Sequence, residues 1–268
     1  MIVQNGETRG IIKKRIHYAI SEGRLKIIAP DYYPEFHCIA DQCRHTCCQG
    51  WEIDIDEVSM RRFAAIPDIS SEIEFSGEAP HFRLSADERC PFLREDGLCR
   101  MIKTYGEGML CQICADHPRF RNYWSDRIEL GLGMVCEEAA RLILSREQPT
   151  RLIVIDEDNE ESAPLTEVEQ QLMGYRQYFT DRAMSELKLT GPRARLMEYL
   201  IYRHIPDALY DDQLDNRAAF ILSFYREITS AWAKTDGSLE AYVEAVRQLS
   251  YDVEYDDDVL RERIARGS

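Results

Sequence analysis

No apolar run in this 268-residue chain reaches the roughly 18 to 20 residues that span a bilayer. The opening Met-Ile-Val-Gln-Asn-Gly-Glu-Thr-Arg-Gly also lacks the apolar core of a secretory signal. No membrane partner is expected, and a cytoplasmic protein is the default reading. Positive charge is scarce too: 33 Lys and Arg stand against 48 Asp and Glu, a formal net charge of −15. That excludes a nonspecific nucleic-acid binder, whose affinity rests on neutralising phosphates. A basic partner would be favoured instead.

Glycine-rich phosphate loops are missing. Gly131-Leu-Gly133 is the nearest approach to G-x-G-x-x-G and supplies only its first half. The Cys-x3-Cys-x2-Cys triplet of radical S-adenosylmethionine enzymes is absent as well, because Cys43 and Cys47 are followed by glycine at position 50. There are no internal repeats and no low-complexity stretches.

Cysteine, by contrast, is abundant. Nine lie between Cys38 and Cys136, four of them in the run Cys38-x4-Cys43-x3-Cys47-Cys48. A chain of this length can bury a core without covalent staples, and thiols stay reduced in a cytoplasm, so these cysteines read as ligands or redox groups before disulfides. Only Cys111-x-x-Cys114 has the pair spacing usual in zinc sites, whereas an iron–sulfur cluster draws its thiolates from scattered loops. Spacing leaves zinc and iron–sulfur open. Adjacent side chains diverge, so one of Cys47 and Cys48 is expected at a given metal. The other is a neighbouring thiol, a ligand to a second centre, or a core residue. His45 and His117 are expected to be hydrogen-bonded polar residues beside the site rather than ligands, and His37 and His81 lie in the same region.

Three segments follow from composition: a basic N-terminal stretch over 1–30, a cysteine-rich region over 31–148, and a helical region over 149–268. The first predicts a short helix or ordered arm, and the prolines of 29–36 an extended or turning path. In the second, Trp51 to Asp56 alternates like a half-buried strand, and Asp56 suits the N-cap of a helix through Phe63. Residues 68–80 read as a loop, and 81–84 as a short strand. Asp96-Gly97 marks a hairpin that sets Cys90 and Cys99 on adjoining arms. Cys111 to Pro118 is a short helix, and Cys136 opens another. In the third, 151–156 reads as an isolated strand and 157–164 as an acidic loop. Thr166 and Glu169 form a capping box for a helix whose apolar face carries Val168, Leu172, Tyr175 and Phe179. Helices ending at Ile205, through Phe220 to Trp232, behind Ser238, and around Leu260 and Ile264 complete it, with Tyr251 to Asp258 a strongly acidic stretch between the last two. The expected fold is mainly α: short strands and helices around a metal or iron–sulfur site, then a helical C-terminal half.

One resemblance draws these pieces together. Tyr-x3-Phe-x-Cys-Ile-x4-Cys-x3-Cys-Cys-x-Gly-Trp-x-Ile-x-Ile-Asp, then Cys-Pro-Phe-Leu-x3-Gly-Leu-Cys, Ile-Cys-x3-Pro-Arg and Cys-x-Glu-Ala-Ala-Arg-Leu-Ile-Leu, over about residues 32 to 144, resembles the flagellin lysine-N-methylase family. That family is related to a wider group of zinc- or iron-chelating cysteine-rich proteins. The resemblance places the family cysteines on Cys38, Cys43, Cys47, Cys48, Cys90, Cys99, Cys114 and Cys136, with Cys111 as the extra one. It implies methyl transfer from S-adenosylmethionine to lysine ε-amines of flagellin, with an iron–sulfur cluster of the 4Fe-4S type. A non-enzymatic zinc- or iron-binding module is the alternative. Family members usually run longer at the C-terminus. Asp54, Asp56 and Tyr105 are candidates to take the lysine proton, although each reads more readily as a cap or packing residue, and no catalytic base or S-adenosylmethionine site is assigned.

Overall fold

Two apolar cores organise the protein, one formed between Ile53 and Cys111, the other by Tyr32, Phe36 and residues from Trp124 to Ile264. The computed structural model describes residues 26–76, 79–156 and 163–268. The arm or helix expected in the first 25 residues, and most of the acidic loop at 157–164, lie outside them.

Strand β1 (Lys26–Pro30) leads through a 3-10 turn at Tyr33–Glu35 into the cysteine loop, which holds another at Ala40–Gln42. Ile53 and Ile55 are buried while Glu52 and Asp54 face solvent, so the expected alternation is present. Its pairing is slight, a single bridge from Asp54 to His81. Helix α1 (Glu57–Phe63) starts where expected, with Asp56 accepting from the Ser59 amide at 2.9 Å. The expected loop after it is instead a short helix α2 (Pro67–Ser70) and strand β2 (Ile73–Glu74), which pairs with β3 (His81–Phe82). The period went unseen because each element is too short to repeat it, and burial of Ile69 and Ile73 fixes both.

A bridge from Leu93 to Cys99 closes the Asp96-Gly97 turn, with Gly97 at φ 76°. Helix α3 (Arg100–Tyr105) follows Cys99, a 3-10 turn spans Glu107–Met109, and α4 (Gln112–Asp116) follows Cys111. Phe82 packs against Phe63 and Phe92 with ring centroids 5.8 and 5.0 Å away, at the centre of the first core. Each such ring contributes roughly 1.5–3 kcal/mol by leaving water.

Next come β4 (Arg119–Tyr123) and β5 (Arg127–Leu132), a hairpin that the sequence reading did not anticipate. Beyond it lie α5 (Glu137–Leu144) and β6 (Leu152–Asp156). The sheet order is β4-β5-β1-β6, with β5 and β1 parallel and the outer pairings antiparallel. So 151–156 is not an isolated strand: β6 is an edge strand on β1, and the partner lies too far back in sequence for local pattern to reveal it. The protein is about half helical with a small mixed sheet rather than mainly α throughout.

The remainder is helical as expected: α6 (Glu167–Glu186), α7 (Gly191–His204), a single turn α8 (Ala208–Asp211), α9 (Leu214–Trp232), α10 (Leu239–Leu249) and α11 (Asp257–Arg266). The Thr166/Glu169 capping box forms, and Ser238 caps α10. On α6, Leu172 and Phe179 are buried, but Val168 is 63% exposed. The helix is rolled so that Glu169 turns inward and accepts from the Ser125 amide at 2.7 Å. These helices, with α5 and β5, enclose the second core, where Trp232 stacks on Tyr242 at 4.3 Å. The acidic stretch after α10 is partly interior: Ser250–Glu254 forms a π-helical turn that buries Ser250, Val253 and Glu254.

Among the described residues, no helix is long and apolar enough to cross a membrane.

Candidate functional site

The cysteine loop is lashed to the helical half by polar contacts. Glu137, the first residue of α5, accepts from Arg44 Nε at 2.6 Å and from the Arg44 amide at 2.9 Å, and its Oε2 lies 3.7 Å from Cys43 Sγ. His45 Nε2 sits 2.7 Å from a Glu244 oxygen on α10. Tyr251 donates to the Gly50 carbonyl at 2.7 Å. Gly50 has φ 87°, and a Cβ there would collide with that same hydroxyl, so only glycine fits. Trp51 stacks on His117 at 6.2 Å, and His117 meets Tyr255 edge-on at 6.1 Å.

These contacts carry the first group of thiols. Cys38, Cys43, Cys47 and Cys136 lie near enough to influence one another electrostatically, and Cys136 packs at the border of the helical core. Burial, helped by the nearby Cys43 and Cys38, pushes the Cys136 thiol up to about 11. Cys43 is raised mainly by burial, with Glu137 adding to it.

A second group belongs to the other core. Cys48, Cys90, Cys99, Cys111 and Cys114 all pack with Ile53, Phe82 and Phe92. The Cys90 amide donates to the Cys48 carbonyl at 2.9 Å, and the hairpin sets Cys99 beside Cys90. Burial pushes the Cys90 thiol up to about 12, with Cys48, Cys99 and Cys111 nearby. Two hydrogen-bonded pairs mark the most thiolate-like sulfurs. Cys47 donates to Cys48, lowering Cys48 to about 7. Cys114 likewise donates to Cys111, which is lowered in turn.

Cys90 and Cys111 are buried, Cys38 and Cys47 are exposed, and the rest lie between. All nine are free thiols. The donors suit a thiolate-held centre in kind, being soft and gathered from several loops. Among the described residues, no three His, Cys, Asp or Glu side chains stand together as an arrangement that could hold a single metal ion.

The histidines divide. His45 is bound to Glu244, and His37 Nδ1 lies 2.9 Å from the Glu35 carbonyl. His81 Nδ1 is 3.1 Å from the Ala79 carbonyl. His117 lies between two aromatic rings, and burial followed by Arg119 pushes it down to about 4, so it is neutral near pH 7. Of the proposed proton acceptors, Asp56 is occupied by two helix starts, accepting from Ser59 and from the Gln112 amide at 2.9 Å. Tyr105 donates to Asp68 at 3.4 Å, and Asp54 faces solvent.

Sequence reasoning missed a buried polar cluster beside the first thiol group. Glu254 is 4% exposed and takes hydrogen bonds from the Tyr199 hydroxyl at 3.0 and 3.1 Å. It also lies 3.1 Å from Arg203 Nε and 2.8 Å from His204 Nε2. Arg203 sits over the Phe120 and Tyr255 rings at 4.9 and 5.3 Å. Gly133 makes room here, since a Cβ would strike Tyr255 and Arg203. The only signal was Val253, an apolar residue inside an acidic run.

Together these features define a cysteine-rich protein with one thiol group beside the seam between a small loop-rich lobe and a helical one and a second packed in the small lobe's core. Compared with curated proteins, the chain is 28% identical over 162 residues to the lysine-N-methylase of Salmonella typhimurium, a match covering 56% of this chain and 40% of that protein. The lysine-N-methylase of Salmonella choleraesuis matches to the same extent. The flagellar biosynthetic protein FliU of Salmonella muenchen is 28% identical over 132 residues, covering 45% of this chain and 78% of that protein. These similarities support a relationship to the flagellin lysine-N-methylase family, as the cysteine blocks implied. The match spans less than half the length of the lysine-N-methylases. No family model and no solved structure matches.

Proposed function

We propose that this protein takes part in N-methylation of lysine side chains on flagellin, with S-adenosylmethionine as methyl donor and an iron–sulfur cluster held by its cysteines. The observation that carries the reading is the similarity to proteins named lysine-N-methylase. The number of free cysteines on the loops around 38–48, 90–99, 111–114 and 136, soft donors in kind, supports the metal part. A cluster there would supply a redox-active centre that also ties these loops together.

Methyl transfer needs a neutral amine in line with the sulfonium and a route for the lost proton. With Asp56 committed to its caps and Tyr105 to Asp68, no catalytic base is assigned. The test is incubation of anaerobically prepared protein with flagellin and methyl-labelled S-adenosylmethionine. Label on flagellin lysines is expected, and its absence with metal-loaded protein would sink the activity.

The partial coverage of the lysine-N-methylases favours a second reading, a metal-holding module without transferase activity. Stoichiometric metal in the protein without methyl transfer in the same experiment is its signature.

A further inference from the structure

The β6 edge of the four-stranded sheet is open. Strand β6 pairs with β1 on one side only, and its apolar residues are exposed on both faces: Leu152 by 43%, Val154 by 52% and Ile155 by 40%, with Ile153 half-buried. Proteins usually blunt such an edge with a charge or a proline inside the strand. Residues 152–155 hold neither.

The register shows which backbone groups point away from the sheet. The Asp31 amide donates to the Arg151 carbonyl at 2.8 Å, and Pro30, Ala29 and Ile28 lie opposite Leu152, Ile153 and Val154. Hydrogen-bonding direction alternates along an antiparallel strand, so Arg151 and Ile153 address β1 while Leu152 and Val154 turn their N–H and C=O outward. Pro30, which has no N–H, accordingly sits opposite Leu152, where no ladder bond is made. Ile155 is the extra residue of a bulge ahead of Asp156.

The strand is complementary to itself. Turned antiparallel on a second copy about an axis at Ile153, it sets Leu152 opposite Val154 at both ends and joins the outward groups of the two residues. The same register brings Arg151 alongside Ile155 and Asp156 of the other copy. Arg151 is available for this, its side chain being 82% exposed and its contact with Asp31 a long one at 3.4 Å. Asp156 is exposed as well. Parallel pairing would instead bring the two Asp156 ends together, with Glu157 and Asp158 next in sequence. We propose that β6 is a dimerisation strand, through which two copies of this chain pair antiparallel about a two-fold axis at Ile153 and merge their sheets. The contact is short, so the dimer is reversible and grows with concentration.

The experiment is sedimentation equilibrium of the full chain from about 1 to 500 µM. Reducing agent keeps the free cysteines from cross-linking the copies. The mass is expected to double across that range. Val154→Lys puts a charge at an outward position and should weaken association several-fold. Arg151→Glu and Asp156→Lys should each weaken it alone, whereas a mixture of the two should recover it, because unlike charges then face each other at both ends. Residue-resolved amide exchange on the wild type reads the same pairing without any variant: Leu152 and Val154 should slow several-fold relative to Ile153 at the higher concentration. A chain that stays monomeric throughout overturns the inference. So does a dimer whose Leu152 and Val154 amides exchange equally fast at both concentrations, or one that Val154→Lys and the mixing leave unchanged, since it forms through another surface.

Discussion

The Tyr251 hydroxyl donates to the Gly50 carbonyl at 2.7 Å across 201 positions of sequence, on a glycine whose φ of 87° admits no side chain. This contact pins the end of the cysteine loop to the π-helical turn. Gly50→Ala meets both the left-handed backbone and the tyrosine oxygen, and is expected to cost about 1–3 kcal/mol. Tyr251→Phe should cost only about 1 kcal/mol. Urea unfolding of both variants, followed by circular dichroism, tests the order. A Gly50→Ala protein as stable as Tyr251→Phe would contradict it.

Glu254 gives the helical lobe a dependence on pH. Burial would raise its carboxyl, but Arg203 and His204 outweigh that and hold it at about 2, below its ordinary 4.5. His204 is also depressed, chiefly by burial. Both folded values lie below the unfolded ones, so both groups stabilise fully above about pH 6.5 and lose that contribution as pH falls. The His204 part fades first. The Glu254 part fades between 4.5 and 2 and is worth on the order of 3 kcal/mol. Thermal midpoints measured from pH 7 to pH 3 should therefore fall. Glu254→Gln should lower the midpoint at pH 7, by about 3–5 kcal/mol of stability, and flatten the acid limb.

Asp56 begins two helices at once, through the Ser59 and Gln112 amides. Asp56→Ala removes both caps and should cost about 2 kcal/mol, whereas Asp56→Asn retains an acceptor and should cost less than half of that. Chemical denaturation curves for the two proteins give the comparison, and equal losses would count against the double cap.

Glu137 holds Arg44 and approaches Cys43. Glu137→Ala is expected to free this part of the loop at a modest stability cost of about 1 kcal/mol, because Arg44 is half exposed. Alkylation of Cys43 by iodoacetamide, followed by peptide mass spectrometry, should quicken several-fold while that of buried Cys90 stays unchanged. Parallel acceleration at both sites would mean general unfolding instead.

Features encoded within a few residues were legible in the sequence: the Asp56 cap, the Thr166/Glu169 box, Ser238, and the Asp96-Gly97 hairpin that aligns Cys90 with Cys99. The sheet was not. Strand β5 carries Glu129 in its interior, a poor strand signal, and that carboxylate is paired with Arg176, which reaches it at 2.6 and 2.9 Å from α6. Likewise β6 needs β1, more than a hundred positions earlier. The cysteines were recognisable as a set because composition reveals them. Their division was not, since it depends on Glu137 meeting Cys43 and Cys90 meeting Cys48, contacts spanning 94 and 42 positions. Glu254 was hidden by acidic neighbours that do face water.

The parallel pairing of β1 with β5 makes the thiol-bearing lobe an insertion. The chain leaves the sheet after Pro30 and rejoins it at Arg119, with eight of the nine cysteines between. Closing a loop of about 90 residues costs on the order of 4 kcal/mol in chain entropy, which sheet formation has to meet. The Arg44–Glu137 tie and the sheet pairing thus share one closure, and whichever forms first lowers the entropic barrier to the other.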